Sequence, residues 1–213
     1  MTPERLLRTA AARGLACIAV TDHGCLRGAR ECARLAARDP ALPRVIPGEE
    51  IRSTAGEIIG LYLVEEIPGG LSPAESVARI REQGGVALLP HPFDDVRRAA
   101  VRPEWREPLA RLVDVVEVWN GRLLRLVHCR QALELAARVG RPFSAGSDAH
   151  FPGEVGRVWL EVPRVPTRGD LLDLLRVARP GPDLTRGGLV RSWWFQGRSA
   201  ARKARATACR PRR

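Results

Sequence analysis

Imidazole and carboxylate side chains recur in this sequence directly after short apolar runs. His23 follows residues 16–20 in Thr21-Asp22-His23, Glu50 follows 44–46 in Pro47-Gly48-Glu49-Glu50, and His91 follows 86–89 in Pro90-His91-Pro92-Phe93. Asp148 and His150 stand in Gly146-Ser147-Asp148-Ala149-His150 after the short run 141–144, and Trp119-Asn120-Gly121-Arg122 follows 113–118. Three of the four histidines therefore occupy such positions. Nitrogen and carboxylate donors without thiolate suit zinc, manganese or iron, and a carboxylate such as Glu50 can bridge two ions. The chemistry this points to is a multinuclear hydrolytic centre. Taken singly, each cluster has a plainer reading: Asp22-His23 as a helix cap beside a hydrogen-bonded histidine, Pro90-His91-Pro92 as a rigid turn, Glu49-Glu50 as a solvated acidic pair. Joint placement favours a common site. His128, inside a helical stretch, reads as a packing residue, as do Cys17 and Cys129.

Elements that could bring these clusters together are legible in the apolar pattern. Thr2-Pro3-Glu4 opens a helix with a capping hydroxyl and a first-turn proline, and Gly14 closes it. Residues 16–20 are too short a run for a helix and read as a buried parallel strand. Helical stretches follow at 27–37, 73–83, 123–139 and 170–177, with strand-like runs at 44–46, 58–64, 86–89, 113–118 and 157–162. Alternation of β and α segments predicts a parallel sheet, open or closed into a barrel, whose strands share one carboxyl-terminal face. The expected organisation is one catalytic domain over 1–180, ended by Pro180-Gly181-Pro182, and a basic extension over 181–213.

The formal net charge of +11 is concentrated in that extension. From Arg186 onward there are nine basic and no acidic residues, leaving 26 basic against 24 acidic before it. Lys203 is the only lysine, so arginine abundance is partly a compositional bias. Five cysteines without a C-x-x-C pair argue against a zinc ribbon or a disulfide framework and fit reduced thiols in the cytoplasm. No apolar run approaches the roughly 20 residues that span a bilayer, and the first residues do not resemble a secretion signal. A different class of function is a non-catalytic module whose tail, with Trp193-Trp194-Phe195 among arginines, contacts RNA, DNA or an anionic surface.

The segments Ile18-Ala19-Val20-Thr21-Asp22-His23, Ile46-Pro47-Gly48-Glu49-Glu50-Ile51, His91-Pro92-Phe93, Glu117-Val118-Trp119-Asn120-Gly121-Arg122 and Gly146-Ser147-Asp148-Ala149-His150 resemble, in order, the motifs of the PHP (polymerase and histidinol phosphatase) superfamily. The resemblance runs from about Thr2 to Pro163. It implies a distorted (β/α)7 barrel holding two or three divalent ions, zinc, manganese or iron, that cleaves a phosphoester of a small metabolite, a nucleotide or an oligonucleotide end. By the same resemblance Glu50 is the bridging carboxylate, His91 a ligand of one ion, and Asp148 a ligand of the ion it shares with Glu50. His23 and His150 are ligands of another, and Asp22 orients its neighbouring histidine. Arg122, and Arg97 or Arg98, near strand-end loops, are candidates for holding a phosphate oxygen. The family's opening strand with a His-x-His pair would precede Thr2. The expectation is therefore an N-terminally truncated copy or a late-called start, binding divalent metal weakly because His23, Glu50, His91, Asp148 and His150 cannot fill two coordination shells.

Overall fold

The computed structural model describes residues 1–95, 101–122 and 125–181. Thr2 caps the first helix, α1 (Pro3–Ala12), its hydroxyl accepting from the Arg5 amide. There follow β1 (Cys17–His23), α2 (Arg27–Ala36), β2 (Arg44–Ser53), β3 (Gly56–Leu61), α3 (Pro73–Glu82), β4 (Val86–Leu89), α4 (Arg106–Leu112) and β5 (Val115–Asn120). Then come α5 (Leu126–Val139), β6 (Phe143–Gly146), β7 (Leu160–Glu161), α6 (Leu171–Arg176) and β8 (Arg179–Pro180). A capping box starts α3: the Ser72 hydroxyl accepts from the Glu75 amide and the Glu75 carboxylate from the Ser72 amide.

Strands β1 to β6 form one sheet in sequence order, curled into a half-barrel. The pairs β1–β2, β4–β5 and β5–β6 are parallel, whereas β3 runs antiparallel to both its neighbours. The α/β class follows the alternation in the sequence, but three features depart from it. β2 continues through Pro47-Gly48-Glu49-Glu50 to Ser53 and turns over Thr54-Ala55 into β3, an antiparallel hairpin where a parallel sheet was predicted. The Ser53 hydroxyl closes that turn, donating to Gly56 O at 2.6 Å and accepting from the Ala55 amide at 3.3 Å. Gly56, at φ 139°, adopts a conformation open to glycine alone. Secondly, the run 157–162, predicted as another strand of a seven-stranded barrel, contributes only Leu160–Glu161, paired with Arg179–Pro180 in a separate two-stranded sheet. Among the described residues the main sheet thus has six strands. Thirdly, β1 is an edge of the sheet rather than a buried strand, with Ala19, Asp22 and His23 exposed. The predicted helix over 123–139 begins at Leu126, and the basic extension beyond Gly181 lies outside the described residues. None of the described helices is long and apolar enough to cross a membrane.

The two faces of the sheet bury different cores. Val20, Ile51, Ile58, Ala87, Leu89, Val116 and Val118 join residues of α1 to α5 in the larger apolar cluster. Ile46, Leu61, Val86, Leu88 and Val115 form a smaller one with Leu171 and Leu175 of α6. Alternation along each strand assigns His23, Glu50, Glu57 and Glu117 to the face of the smaller cluster, at the carboxyl ends of the parallel strands. Gly48 lets β1, β2 and β3 close together beneath them: a Cβ there would stand 2.5 Å from Gly60 O and 2.9 Å from Thr21 Cγ2. Gly48→Ala is expected to destabilise the chain by about 1–3 kcal/mol through backbone displacement, measured by urea unfolding. An unchanged midpoint would show that the strands can part there without cost.

Candidate metal centre

Parallel register sets His23 beside Glu50, and antiparallel register sets Glu50 opposite Ile59. Glu57, two residues before Ile59 and on the same face, is Glu50's diagonal neighbour, within reach of a long side chain. Because β3 runs against its neighbours, its first residues lie at their carboxyl ends. His23 Nδ1 is 3.1 Å from Glu50 Oε2 and 3.7 Å from Glu57 Oε1, and His91 Nε2 is 3.4 Å from Glu50 Oε1 and 4.0 Å from Glu57 Oε2. Two buried carboxylates thus lie between two imidazoles, of which His91 is buried and His23 is 61% exposed, so the cluster meets solvent along β1. Burial works to raise the Glu50 carboxyl, but the hydrogen bond with His91 and the charges of His23 and His91 outweigh it and hold the group below its ordinary range.

Asp148 and His150 arrive from the end of β6. His150 Nδ1 lies 3.0 Å from Asp148 O and 3.5 Å from Asp148 Oδ1, and its ring centre is 6.5 Å from that of His23. Arg122 Nη1 is 2.6 Å from Nδ1 and 3.0 Å from Nε2 of His150, which puts the guanidinium beside the same group of side chains. Behind them stand two further buried carboxylates. Glu117 Oε2 accepts from the His91 amide at 2.9 Å and from Asn120 Nδ2 at 3.0 Å, and Glu154 Oε2 accepts from the His150 amide at 2.9 Å. Burial pushes the Glu117 carboxyl up to about 7, against the opposing influence of His91 and Asn120. His91 at φ 26° and Asp148 at φ 47° hold left-handed backbone, a conformation costing a side chain-bearing residue on the order of 1–3 kcal/mol.

Several sequence expectations are placed elsewhere. Asp22, expected to orient His23, lies on the helix-covered face, where a Cβ on Gly28 of α2 would stand 2.2 Å from its Oδ2. Consecutive strand residues point to opposite faces, so an orienting partner for His23 cannot be its chain neighbour here. Glu49 is separated from Glu50 in the same way. It is fully buried and accepts from the Ile67 amide at 3.0 Å, and burial raises its carboxyl above the ordinary range. Arg97 and Arg98 lie outside the described residues, and His128 is buried in α5. Sequence reasoning missed Glu57, Glu117, Asn120 and Glu154 as members of the site. The available signal for Glu57 and Glu117 was a single carboxylate inside an otherwise apolar run, Gly56-Glu57-Ile58-Ile59-Gly60 and Val115-Val116-Glu117-Val118.

The donors suit a divalent ion. His23, Glu50 and Glu57 each offer a ligand atom within 4.8 Å of the others, and imidazole with carboxylate is the set that zinc, manganese and iron share.

Residues 127–180 match the family model described as PHP-associated. Over 120 residues the chain is 46% identical to MJ0417 of Methanocaldococcus jannaschii, an uncharacterized protein, covering 54% of this chain and 50% of that one. The chain spans about half the length of the curated relatives it matches. Among solved structures, PsfC from Pseudomonas syringae superposes with a TM-score of 0.66 at 20% identity, over 92% of this chain and 89% of that one. A two-domain protein from Bacteroides vulgatus, containing a predicted PHP-like metal-dependent phosphoesterase, superposes with a TM-score of 0.63 at 19% identity, over 90% of this chain and 64% of that one. Identities this low speak for the fold alone. The chain thus shares the fold of these structures and carries a PHP-associated segment over its last described helices.

Proposed function

We propose that this chain hydrolyses a phosphoester with divalent ions held by His23, Glu50, Glu57 and His91 and, at the β6 end, by Asp148 and His150. The observation that carries the reading is Glu50, an anion within 3.1 Å of one imidazole and 3.4 Å of another, with Glu57 beside it. Both metal-binding and the phosphoester chemistry are supported by the PHP-like phosphoesterase named above as a structural neighbour. When bound, the ions supply Lewis acidity, neutralising charge on the phosphoryl oxygens and acidifying water. Arg122 would hold a non-bridging phosphate oxygen through its planar fork. The exposed side of His23 leaves an approach for substrate, while buried Glu50, Glu57 and His91 form the floor of the site. Substrate is a phosphorylated metabolite, nucleotide or oligonucleotide end.

Glu57 raises the donor count above that expected from the sequence. The full chain is accordingly expected to retain about one zinc or manganese ion after loading and desalting, since ligands brought together by folding bind as a unit. Metal analysis together with release of nitrophenol from an aryl phosphate checks this. A chain that holds no ion and shows no metal-stimulated hydrolysis would overturn the proposal.

A further inference from the structure

We propose that Glu117 and Asn120 are a positioning pair that holds the turns bearing His91 and Asp148, acting from behind the metal centre rather than as donors to an ion. The proposal rests on the metal centre argued above. A bulge in β5 between Glu117 and Trp119 breaks the strand's alternation just before its end. Glu117 Oε2 then takes two hydrogen bonds, from the His91 amide at 2.9 Å and from Asn120 Nδ2 at 3.0 Å. Its other oxygen faces Gly146, where a Cβ would stand 2.7 Å away. Asn120 Oδ1 accepts from the Arg122 amide at 2.9 Å, which fixes the amide so that Nδ2 faces Glu117 and lies 3.4 Å from Asp148 Oδ2.

The ends of β5 and β6 are locked to each other in the same place. The Gly121 amide donates to Gly146 O at 2.8 Å, and a Cβ on Gly121 would stand 2.7 Å from Ser147 O. His91 and Asp148, the residues this pair grips, both have positive φ without being glycine. Such backbone persists only where its surroundings over-determine it. Glu117 supplies that for His91 through the main chain, so the imidazole stays available to an ion, and Asn120 supplies it for Asp148 through one carboxylate oxygen. Partners of this kind typically change metal affinity by roughly 10- to 100-fold when removed.

Amide hydrogen exchange in the metal-free full chain reads the pair without any ion. Glu117→Ala is expected to speed exchange at His91 by at least about tenfold while amides of β1, β2 and α5 keep their rates, since only the lost acceptor protected it. Glu117→Gln, which keeps a carbonyl acceptor, should restore most of that protection. Manganese titration should show affinity reduced roughly 10- to 100-fold in Glu117→Ala and Asn120→Ala and largely recovered in Glu117→Gln. Val118→Ala, on the opposite face of the same strand, should lower the melting temperature without altering either readout. Unchanged His91 exchange in Glu117→Ala would overturn the proposal. So would a Glu117→Gln chain that keeps His91 protected yet loses metal as Glu50→Gln does, because Glu117 would then be a donor. Faster exchange at His91 in Glu117→Ala, together with a wild-type chain that binds no manganese, would leave the positioning pair standing and remove the metal centre instead.

Discussion

Glu50→Gln is expected to lower manganese affinity and metal-dependent hydrolysis of an aryl phosphate by more than about 100-fold, beyond the loss typical for a residue that merely supports a ligand. The substitution keeps size and burial and removes one negative charge from a carboxylate that His23 and His91 both approach. Both imidazoles lose the nearer of their two shared anionic neighbours at once, Glu57 being 3.7 Å from His23 and 4.0 Å from His91. Asp22→Asn, by contrast, alters a side chain on the opposite face against α2, and should leave affinity and turnover within about twofold, as surface changes usually do. Calorimetric titration with manganese and initial rates on the purified full chains decide the matter. If Glu50→Gln keeps wild-type metal content and rate, the centre is not organised around Glu50.

The second large effect concerns stability rather than turnover. In the metal-free chain, burial pushes the Glu117 carboxyl up to about 7 from an ordinary value of 4.5. The folded state therefore holds this proton more tightly than the unfolded state. Below the ordinary value both states are protonated and Glu117 is without effect. As pH rises toward 7 the unfolded chain releases a proton that the folded chain keeps, so stability falls, and above 7 the loss is complete. At about 1.4 kcal/mol per pKa unit the total is on the order of 3 kcal/mol. Glu117→Gln removes the titration while keeping size, so the difference in unfolding free energy between the two chains should shift by that amount between pH 4.5 and pH 8. Contributions common to the two chains cancel in that difference. Urea unfolding with chelator present measures it, and parallel pH profiles would show that Glu117 does not carry the raised carboxyl.

How the sequence and the structure divide this information can be followed residue by residue. Short apolar runs ahead of His23, His91 and Asp148-Ala149-His150 were legible because a strand packed on at least one face leaves a local apolar signature and a carboxyl-terminal loop does not. Thr2, and Ser72 with Glu75, announce their helices through hydrogen bonds made within a few residues. Local pattern therefore gave the α/β class, most of the elements in order, though not α4, and most of the residues that meet at one end of the sheet.

Tertiary structure decided which way β3 runs and which side chains face the site. Thr54-Ala55 is a weak turn signal, and whether a strand returns antiparallel depends also on the edge offered by β4, beyond α3 in the chain. That choice brought Glu57 beside Glu50. Face is decided in the same way, for a period of two assigns Asp22 and His23, or Glu49 and Glu50, to opposite sides without saying which side is the site. Burial of Glu117 behind His91 and Asp148 needed the bulge in β5 and the close approach of Gly146, both products of packing between strands. Local pattern fixes a residue's element and period, whereas its neighbours across the sheet are set by the pairing that buries the most apolar surface while satisfying the backbone.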